Sequence, residues 1–205
     1  MTARPHVEGE MQAYARERMA DLTIPEPVAD PIAAMVQEGR LREALAACAR
    51  VHGTILGRLC MALLGSQADA DEATQETLLR AHRAMATYRG EGSIKAWLCG
   101  IARHVCAHTL ETRRKGRELL EVVPAEEMSD DARTLFATRR RTRAIRDALA
   151  QLKPSEREAV VLRYVADLSH REIALACNLD EATARKRISR ALARLRTVMP
   201  QEGVE

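Results

Sequence analysis

Aromatic side chains are almost missing from this sequence: they make up 2% of its 205 residues, as one Trp, one Phe and three Tyr. Strands favour aromatic and β-branched residues, whereas Ala, Leu, Arg and Glu, which dominate here, favour helices, so an all-α fold is expected. The five cysteines, Cys48, Cys60, Cys99, Cys106 and Cys177, are odd in number and contain no C-x-x-C spacing. That argues against a disulfide framework or a zinc knuckle. No apolar run approaches the roughly 20 residues that cross a bilayer. The opening MTARPHVEGE has no apolar stretch behind a basic start, so no secretory signal is expected. A Gly-rich phosphate loop, a nucleophile–base pairing and a convincing metal site are all lacking, which leaves no enzyme reading, no cofactor and no metal. The expectation is a cytoplasmic protein without membrane insertion. Its 46% hydrophobic content can fill a core, and its length suits one large domain or two small ones.

A net charge of +3 conceals a blockwise distribution. Residues 67–115 carry +2, 116–138 carry −4, and 139–199 carry +8. An acidic strip thus divides a mildly basic segment from a strongly basic one, a pattern that suits polyanion binding.

Periodicity and punctuation divide the chain further. Pro25, Pro27 and Pro31 close off an N-terminal extension, 1–40, in which Met11, Tyr14, Arg18 and Leu22 trace either a short amphipathic helix or a frayed tail. A helical domain follows over 41–115. Leu41, Leu45 and Cys48 form one stripe and Ile55, Leu59 and Leu63 another, with Gly53 between them and Gly65-Ser66 as the stop. Asp69 stands before an acid-rich first turn, opening a helix to about Ala86. Residues 88–93 read as a loop, and Ser93 as the N-cap of a helix to about Arg114. Residues 116–138 lose periodicity and read as an acidic linker. The second domain, 139–199, begins within a basic helix that reaches Leu152. Ser155 and Glu158 then suggest a capping box. Short helices follow over 156–165 and 170–177, the latter capped by Ser169. Asn178 suits a left-handed turn before a last helix under Asp180. Residues 200–205 form a tail.

Two short helices joined by a tight turn make a helix-turn-helix. On the last helix Ala184, Ile188, Ala191, Leu192 and Leu195 form one stripe. Thr183, Lys186, Arg187, Arg190 and Arg194 lie opposite, with Arg185 and Ser189 on the flanks. Only Asp180 and Glu181 stand near enough to pair, so a merely solvated basic face is the weaker reading. A cationic ridge as wide as the major groove can bridge guanine or phosphate acceptors in a bidentate way.

The helix DADEATQETLLRAHRAM has a small-residue face, Ala70, Ala73, Thr77 and Ala81, extended by Leu78 and Met85. Asp69, Asp71, Glu72, Gln75 and Glu76 cluster at its start. They suit either docking on a basic protein surface or simple complementation of the helix dipole. The next helix has a buried stripe of Leu98, Ile101, Ala102, Val105 and Thr109, leaving Arg103, Arg113, Arg114 and Lys115 for solvent or phosphate. Tyr88 and Trp97 bracket a glycine-rich basic loop. They suit stacking on an unpaired base, at about 1–3 kcal/mol per base, or are core. Cys99, His104, Cys106 and His108 invite a metal or redox reading. Cys99 and Cys106, however, lie about 10 Å apart along a helix axis, beyond the roughly 7 Å a disulfide tolerates. The histidines share the opposite face, so the thiols read as small buried hydrophobes.

Two stretches together carry a resemblance. DADEATQETLLRAHRAMATYRGEGSIKAWLCGIARHV resembles region 2, and LKPSEREAVVLRYVADLSHREIALACNLDEATARKRISRALARLR resembles region 4, of bacterial sigma factors of the extracytoplasmic-function (ECF) group in the sigma-70 family. The resemblance implies two small helical domains, a region 2 bundle and a region 4 helix-turn-helix, in a non-catalytic subunit that directs core RNA polymerase to promoters. It assigns Asp69, Asp71, Glu72, Gln75 and Glu76, with Arg80, to the coiled coil of the beta-prime clamp, and it implies a region 4 contact with the beta flap. It assigns Tyr88, Arg89, Gly90, Ser93, Lys95, Trp97, Arg103, His104 and His108, with Arg113 and Arg114 as phosphate contacts, to reading and melting the minus-ten element. It assigns Arg185, Lys186, Ser189 and Arg190 to the minus-thirty-five element, with Thr183 and Arg187 on the same face. The family carries Asn and Asp where this chain has His104 and His108. An anti-sigma factor is a further implied partner. The alternative is a stand-alone helix-turn-helix regulator whose N-terminal half senses a ligand or oxidant.

Overall fold

The computed structural model describes residues 30–119 and 143–198. Pro31 opens α1 (Pro31–Gln37), a first-turn position where its missing N–H costs nothing. Ile32 and Val36, one turn apart, bury themselves against the next helix. The helical unit therefore begins ahead of the expected boundary at residue 41. Gly39, at φ +76°, provides the turn into α2 (Leu41–Leu64).

One helix, α2, spans the stretch where Gly53 suggested two. A helical glycine costs about 1 kcal/mol relative to alanine. Each of the wholly buried Leu56 and Leu59 returns about 1.5–3 kcal/mol, so the helix continues. At 24 residues, with a mean hydropathy of 1.2 over its best 18-residue window, α2 is long and apolar enough to cross a membrane by length and composition, contrary to the expectation that no stretch is. Its burial explains the composition, because α2 is the central helix and packs on α1, α3 and α4.

Gly65 ends α2 in a left-handed conformation, and Ser66 caps α3 (Gln67–Ala84) by accepting the Asp69 N–H at 3.5 Å. Asp69 thus lies in the first turn rather than at the cap. Ala70, Ala73, Thr77 and Ala81 are buried, and their small size lets α3 lie close to its neighbours. A 3-10 turn, Met85–Thr87, leads to the 88–93 loop. Ser93 caps α4 (Ile94–Leu119), accepting from the Ala96 N–H at 3.2 Å. Since α4 runs to Leu119, residues 116–119 are helix and not linker. The rest of the expected linker lies outside the described residues, as do the Met11–Leu22 segment and the tail.

Residues 143–150 are helical (α5). Arg157 donates to the Leu149 and Ala150 carbonyls and ties this helix to α6 (Pro154–Tyr164). Pro154 starts α6, behind Lys153, so the expected Ser155–Glu158 capping box does not form. The reciprocal box belongs instead to Ser169 and Glu172 at the start of α7 (His170–Cys177). Asn178 takes φ +52°, and Asp180 accepts the Thr183 N–H at 2.7 Å to open α8 (Glu181–Val198). Among the described residues there is no strand.

The two helical blocks pack on each other. Helix α4 lies on α7, and α2 touches α6, so one apolar core runs from Ile32 through Leu98 to Leu168, Ile173 and Ile188. A satellite cluster of Leu152, Val160 and Ala191 seats α8 on α6.

Candidate nucleic-acid interface

On α8, Ala184, Ile188 and Ala191 are buried and Leu192 and Leu195 half-buried, as a single apolar stripe requires. Arg185, Lys186, Ser189 and Arg190 are exposed on the outer surface, while Thr183 and Arg187 are half-buried at its edge. Thr183 also bonds the Asp180 carboxylate through its hydroxyl at 2.6 Å, and these bonds hold that carboxyl below the usual carboxylate range. Arg185 pairs with Glu181 at 2.5 Å, one turn back. Arg194 reaches the buried Glu156 at 3.6 Å and so braces α8 against α6 instead of facing outward alone. Lys186 and Arg190 make no hydrogen bond or ion pair within the described residues. Their charge faces outward from a rigid element.

The second surface centres on the 88–93 loop. Tyr88 and Trp97 contact at 5.5 Å between ring centroids, tilted by 55°, a favourable aromatic geometry. The Tyr88 hydroxyl donates to the Gly92 carbonyl at 2.7 Å and fixes the loop. Gly90 and Gly92 both take positive φ, so two consecutive reversals fit into a short span. Both rings are half-buried. With Arg89, His104 and Ile101 they line a cleft of about 360 Å³, so the choice between core and open surface resolves into one face of each. Burial, then the Arg103 charge, keeps the His104 pKa below its ordinary value. The imidazole is therefore neutral at pH 7.

Arg103 does not face solvent as its helical position implied. It is half-buried and bonds the Ala176 carbonyl and the Glu158 carboxylate, each at 3.3 Å. Ser93 donates to Glu172, and Lys95 donates to the Asp167 carbonyl at 3.1 Å. Three of the minus-ten candidates are thus held by the helix-turn-helix block. Burial pushes the Glu172 carboxyl up, but bonds from Ser93 and Ser169 outweigh it and hold it below its usual value. The sequence offered no cue to these partners, since contacts 55 to 79 residues apart leave no local pattern.

His108 and Arg113 separate from the rest of that set. They line a different cleft, between α3 and α4, with Asp69, Glu72, Gln75, Glu76 and Arg80. Arg113 is ion-paired to Asp69 and donates to the Leu64 carbonyl at 3.4 Å, so it braces α3 rather than standing open to phosphate. Arg114 is exposed. Within the acidic cluster, Asp71 accepts from Gln67 at 2.8 Å and Glu76 pairs with Arg80 at 2.6 Å. Asp71, Glu72 and Gln75 remain exposed beside Leu79, an aliphatic side chain 52% open to solvent.

The cysteines are free. Cys48, Cys60, Cys99 and Cys106 are buried, and burial drives the Cys99 thiol up to about 12. A hydrogen bond to Cys60, together with burial, raises Cys106 as well. Cys99 and Cys106, held protonated in this way, are poor nucleophiles and poor metal ligands, while the same Cys60–Cys106 hydrogen bond lowers Cys60. Among the described residues no cluster of three or more His, Cys, Asp or Glu could hold a metal ion.

Comparison with known proteins gives two family matches in chain order: Sigma-70 region 2 over residues 49–116 and Sigma-70 region 4 over residues 142–195. The chain is 32% identical over 165 residues to the ECF RNA polymerase sigma factor SigG of Mycobacterium tuberculosis, covering 69% of this chain and 45% of SigG. It therefore spans about half the length of that relative. It is 32% identical over 138 residues to the ECF RNA polymerase sigma factor SigC of the same species, covering 64% of this chain and 70% of SigC. Among solved structures, CnrH in complex with the cytosolic domain of CnrY matches with a TM-score of 0.64 at 22% identity, over 84% of this chain and 97% of CnrH. The sigma factor RpoE of Bartonella quintana, solved with the anti-sigma factor NepR, matches with a TM-score of 0.54 at 23% identity, over 82% of this chain and 99% of RpoE. These likenesses establish the fold.

Proposed function

Because the chain belongs to the ECF group of the sigma-70 family, we propose that it is an alternative sigma factor, a non-catalytic cytoplasmic subunit that binds core RNA polymerase and selects promoters. The observation that carries this reading is the presence of both sigma regions in one chain, in order, each on its own helical block. A stand-alone helix-turn-helix regulator needs only the second block, and that alternative is not favoured.

Each surface has chemistry suited to its role. The exposed Arg185, Lys186, Ser189 and Arg190, flanked by Thr183 and Arg187, read the minus-thirty-five duplex from the major groove. Arginine bridges guanine O6 and N7 in a bidentate way, and serine accepts or donates as the base requires. Promoter opening requires an unstacked base to be received outside the duplex. The Tyr88–Trp97 pair and the cleft beside it supply aromatic faces and a neutral His104, while Arg89, Lys95, Arg103 and Arg114 supply charge for the strand backbone. Gly90 and Ser93 shape that loop. Asp71, Glu72 and Gln75, with Leu79 among them, dock on the beta-prime clamp coiled coil. Asp69, Glu76 and Arg80 hold that face in place, and His108 and Arg113 join it from α4. Region 4 engages the beta flap. The solved pairing of RpoE with NepR supports an anti-sigma factor as a regulatory partner here too.

The deciding experiment is run-off transcription with purified core polymerase on a randomised promoter library. Enrichment of a two-part promoter dependent on this chain is the expected result. Binding to duplex without polymerase, and no transcript with it, refutes the assignment.

A further inference from the structure

We propose that a second DNA contact lies beside the reading helix: a basic hollow between α6 and α8, in which Lys153, Arg190 and Arg194 grip a backbone phosphate at the rim of the minus-thirty-five groove while the buried Glu156 positions Arg194. The inference rests on the promoter reading above and adds to it the residues that set the register of α8 on the duplex.

The hollow forms where the start of α6 meets the C-terminal half of α8. Lys153, Glu156, Arg190, Ala193, Arg194 and Thr197 line its volume of about 600 Å³. Local sequence places each of them. Pro154 occupies the first turn of α6, so Lys153 stands just ahead of it in extended backbone, with its side chain engaged in no cap. Arg190, Ala193, Arg194 and Thr197 recur at three- and four-residue steps and so share one face of α8. The short Ala193 side chain leaves room between the longer ones. Lys153, Arg190 and Arg194 are exposed, whereas Glu156 is only 6% exposed.

Glu156 distinguishes this hollow from an ordinary solvated basic surface. Taking a carboxylate out of water is costly unless it is paired and fully hydrogen-bonded. The Glu156 Oε2 accepts no hydrogen bond among the described residues, and the Arg194 Nε approaches it only to 3.6 Å. That distance is an ion pair and not a hydrogen bond. The carboxylate thus holds the guanidinium by its Nε edge and leaves the two terminal nitrogens for another acceptor. Lys153 and Arg190 make no ion pair or hydrogen bond within the described residues. Three cations against one carboxylate leave two positive charges uncompensated, and an anion is the ligand that offsets them.

Position identifies the anion as DNA backbone. Arg190 also belongs to the outward face that carries Lys186, so a duplex seated on that face reaches the hollow without a break. The major groove is about 12 Å wide, with phosphates along both rims. Packed helices stand about 8–10 Å apart, and α6 packs on α8. A reading helix in the groove therefore brings its neighbour, and Lys153 at the start of that neighbour, to a rim. Guanidinium groups bridge phosphate oxygens in a bidentate way, and an ammonium adds a point charge. Such contacts carry no sequence information, but they fix which bases Arg185, Lys186 and Ser189 meet.

The test pairs chain variants with altered DNA, using the full-length chain assembled with core polymerase. Phosphates around the upstream element are replaced one at a time by neutral methylphosphonates, and promoter affinity is measured for each. With the parent chain, one replacement at the groove rim should weaken binding by about tenfold or more, as loss of a hydrogen bond between charged groups does. With Lys153→Ala the same replacement should cost much less, because the contact is already weakened. The salt slope of promoter binding should fall by about 1, with base preference unchanged. Lys153 is exposed and unbonded, so its truncation leaves the fold intact. Glu156→Gln tests the positioning role. In that background, truncating Arg194 to alanine should no longer change the methylphosphonate penalty, whereas truncating Lys153 still should; a merely structural Glu156 would move both alike. The proposal is overturned if no phosphate couples to Lys153. It is equally overturned if Lys153→Ala weakens binding to core polymerase and spares promoter affinity, which assigns the hollow to an acidic protein surface. A parent chain that selects no promoter refutes the promoter reading instead. The salt slope of the free chain on duplex DNA, with and without Lys153→Ala, then decides the phosphate contact alone.

Discussion

At the scale of single residues, position on a helix decided most outcomes. Arg190 stands outward on α8 without an intramolecular partner in the described residues, as its distance from the Ala184–Ile188–Ala191 stripe required. Truncating it to alanine should lower promoter-specific run-off by about 1–3 kcal/mol of lost base recognition, with binding to core polymerase unchanged in a pull-down. Equal loss of both would place Arg190 elsewhere. Leu98, wholly buried where the two blocks share one core, tests the packing: Leu98→Ala should cost about 2–5 kcal/mol, seen as a lower urea midpoint. Arg103 and Arg113 show where residue-level reading stopped. Both are cations on an apparently open helix face, and both are tied down by partners that the sequence did not indicate.

At the scale of elements, most side-chain caps were legible, but the Ser66 cap of α3 was missed in favour of Asp69, and the start of α6 was misread where a proline makes it. Ser93, Ser169, Asn178 and Asp180 all sit where their chemistry places them. The Ser155–Glu158 pattern did not become a cap, because Pro154 had already started α6 and Glu158 was engaged by Arg103. Removing a cap that does form, with Ser169→Ala, should cost about 1 kcal/mol in denaturant titration. The same element is sensitive to acid. Glu172 is held below its ordinary pKa in the folded chain, so its stabilising bonds are fully present above its unfolded value, about 4.3. They are lost as the pH falls through the lower folded value. Glu172→Gln should therefore be less stable than the parent at pH 7, with the gap closing in strongly acidic buffer. A gap that stays constant with pH would show that Glu172 contributes nothing through its charge.

At the scale of the whole molecule, the proposed function asks three surfaces to work together: α8 on one block, and the 88–103 region and the α3 acidic face on the other. Replacing both Asp71 and Glu72 by lysine should abolish polymerase binding, because charge reversal repels a basic partner, while far-UV circular dichroism stays unchanged. Retained binding would remove α3 as the docking face. The variant also separates docking from DNA reading, since neither residue touches the 88–103 cleft.

The sequence by itself determined the helical class, the order of the two blocks, the apolar stripe of each helix and the polarity of each outer face. All of these follow from spacing within about one turn, where neighbours along the chain are neighbours in space. It could not decide that α2 runs unbroken through Gly53, because the compensation comes from burial against α3 and α4. Nor could it decide that Ser93, Lys95 and Arg103 face Glu172, Asp167 and Glu158. Those pairings were left to tertiary structure, because a hydrogen bond between groups more than 50 residues apart depends on how two finished helices meet, and no local periodicity encodes that meeting.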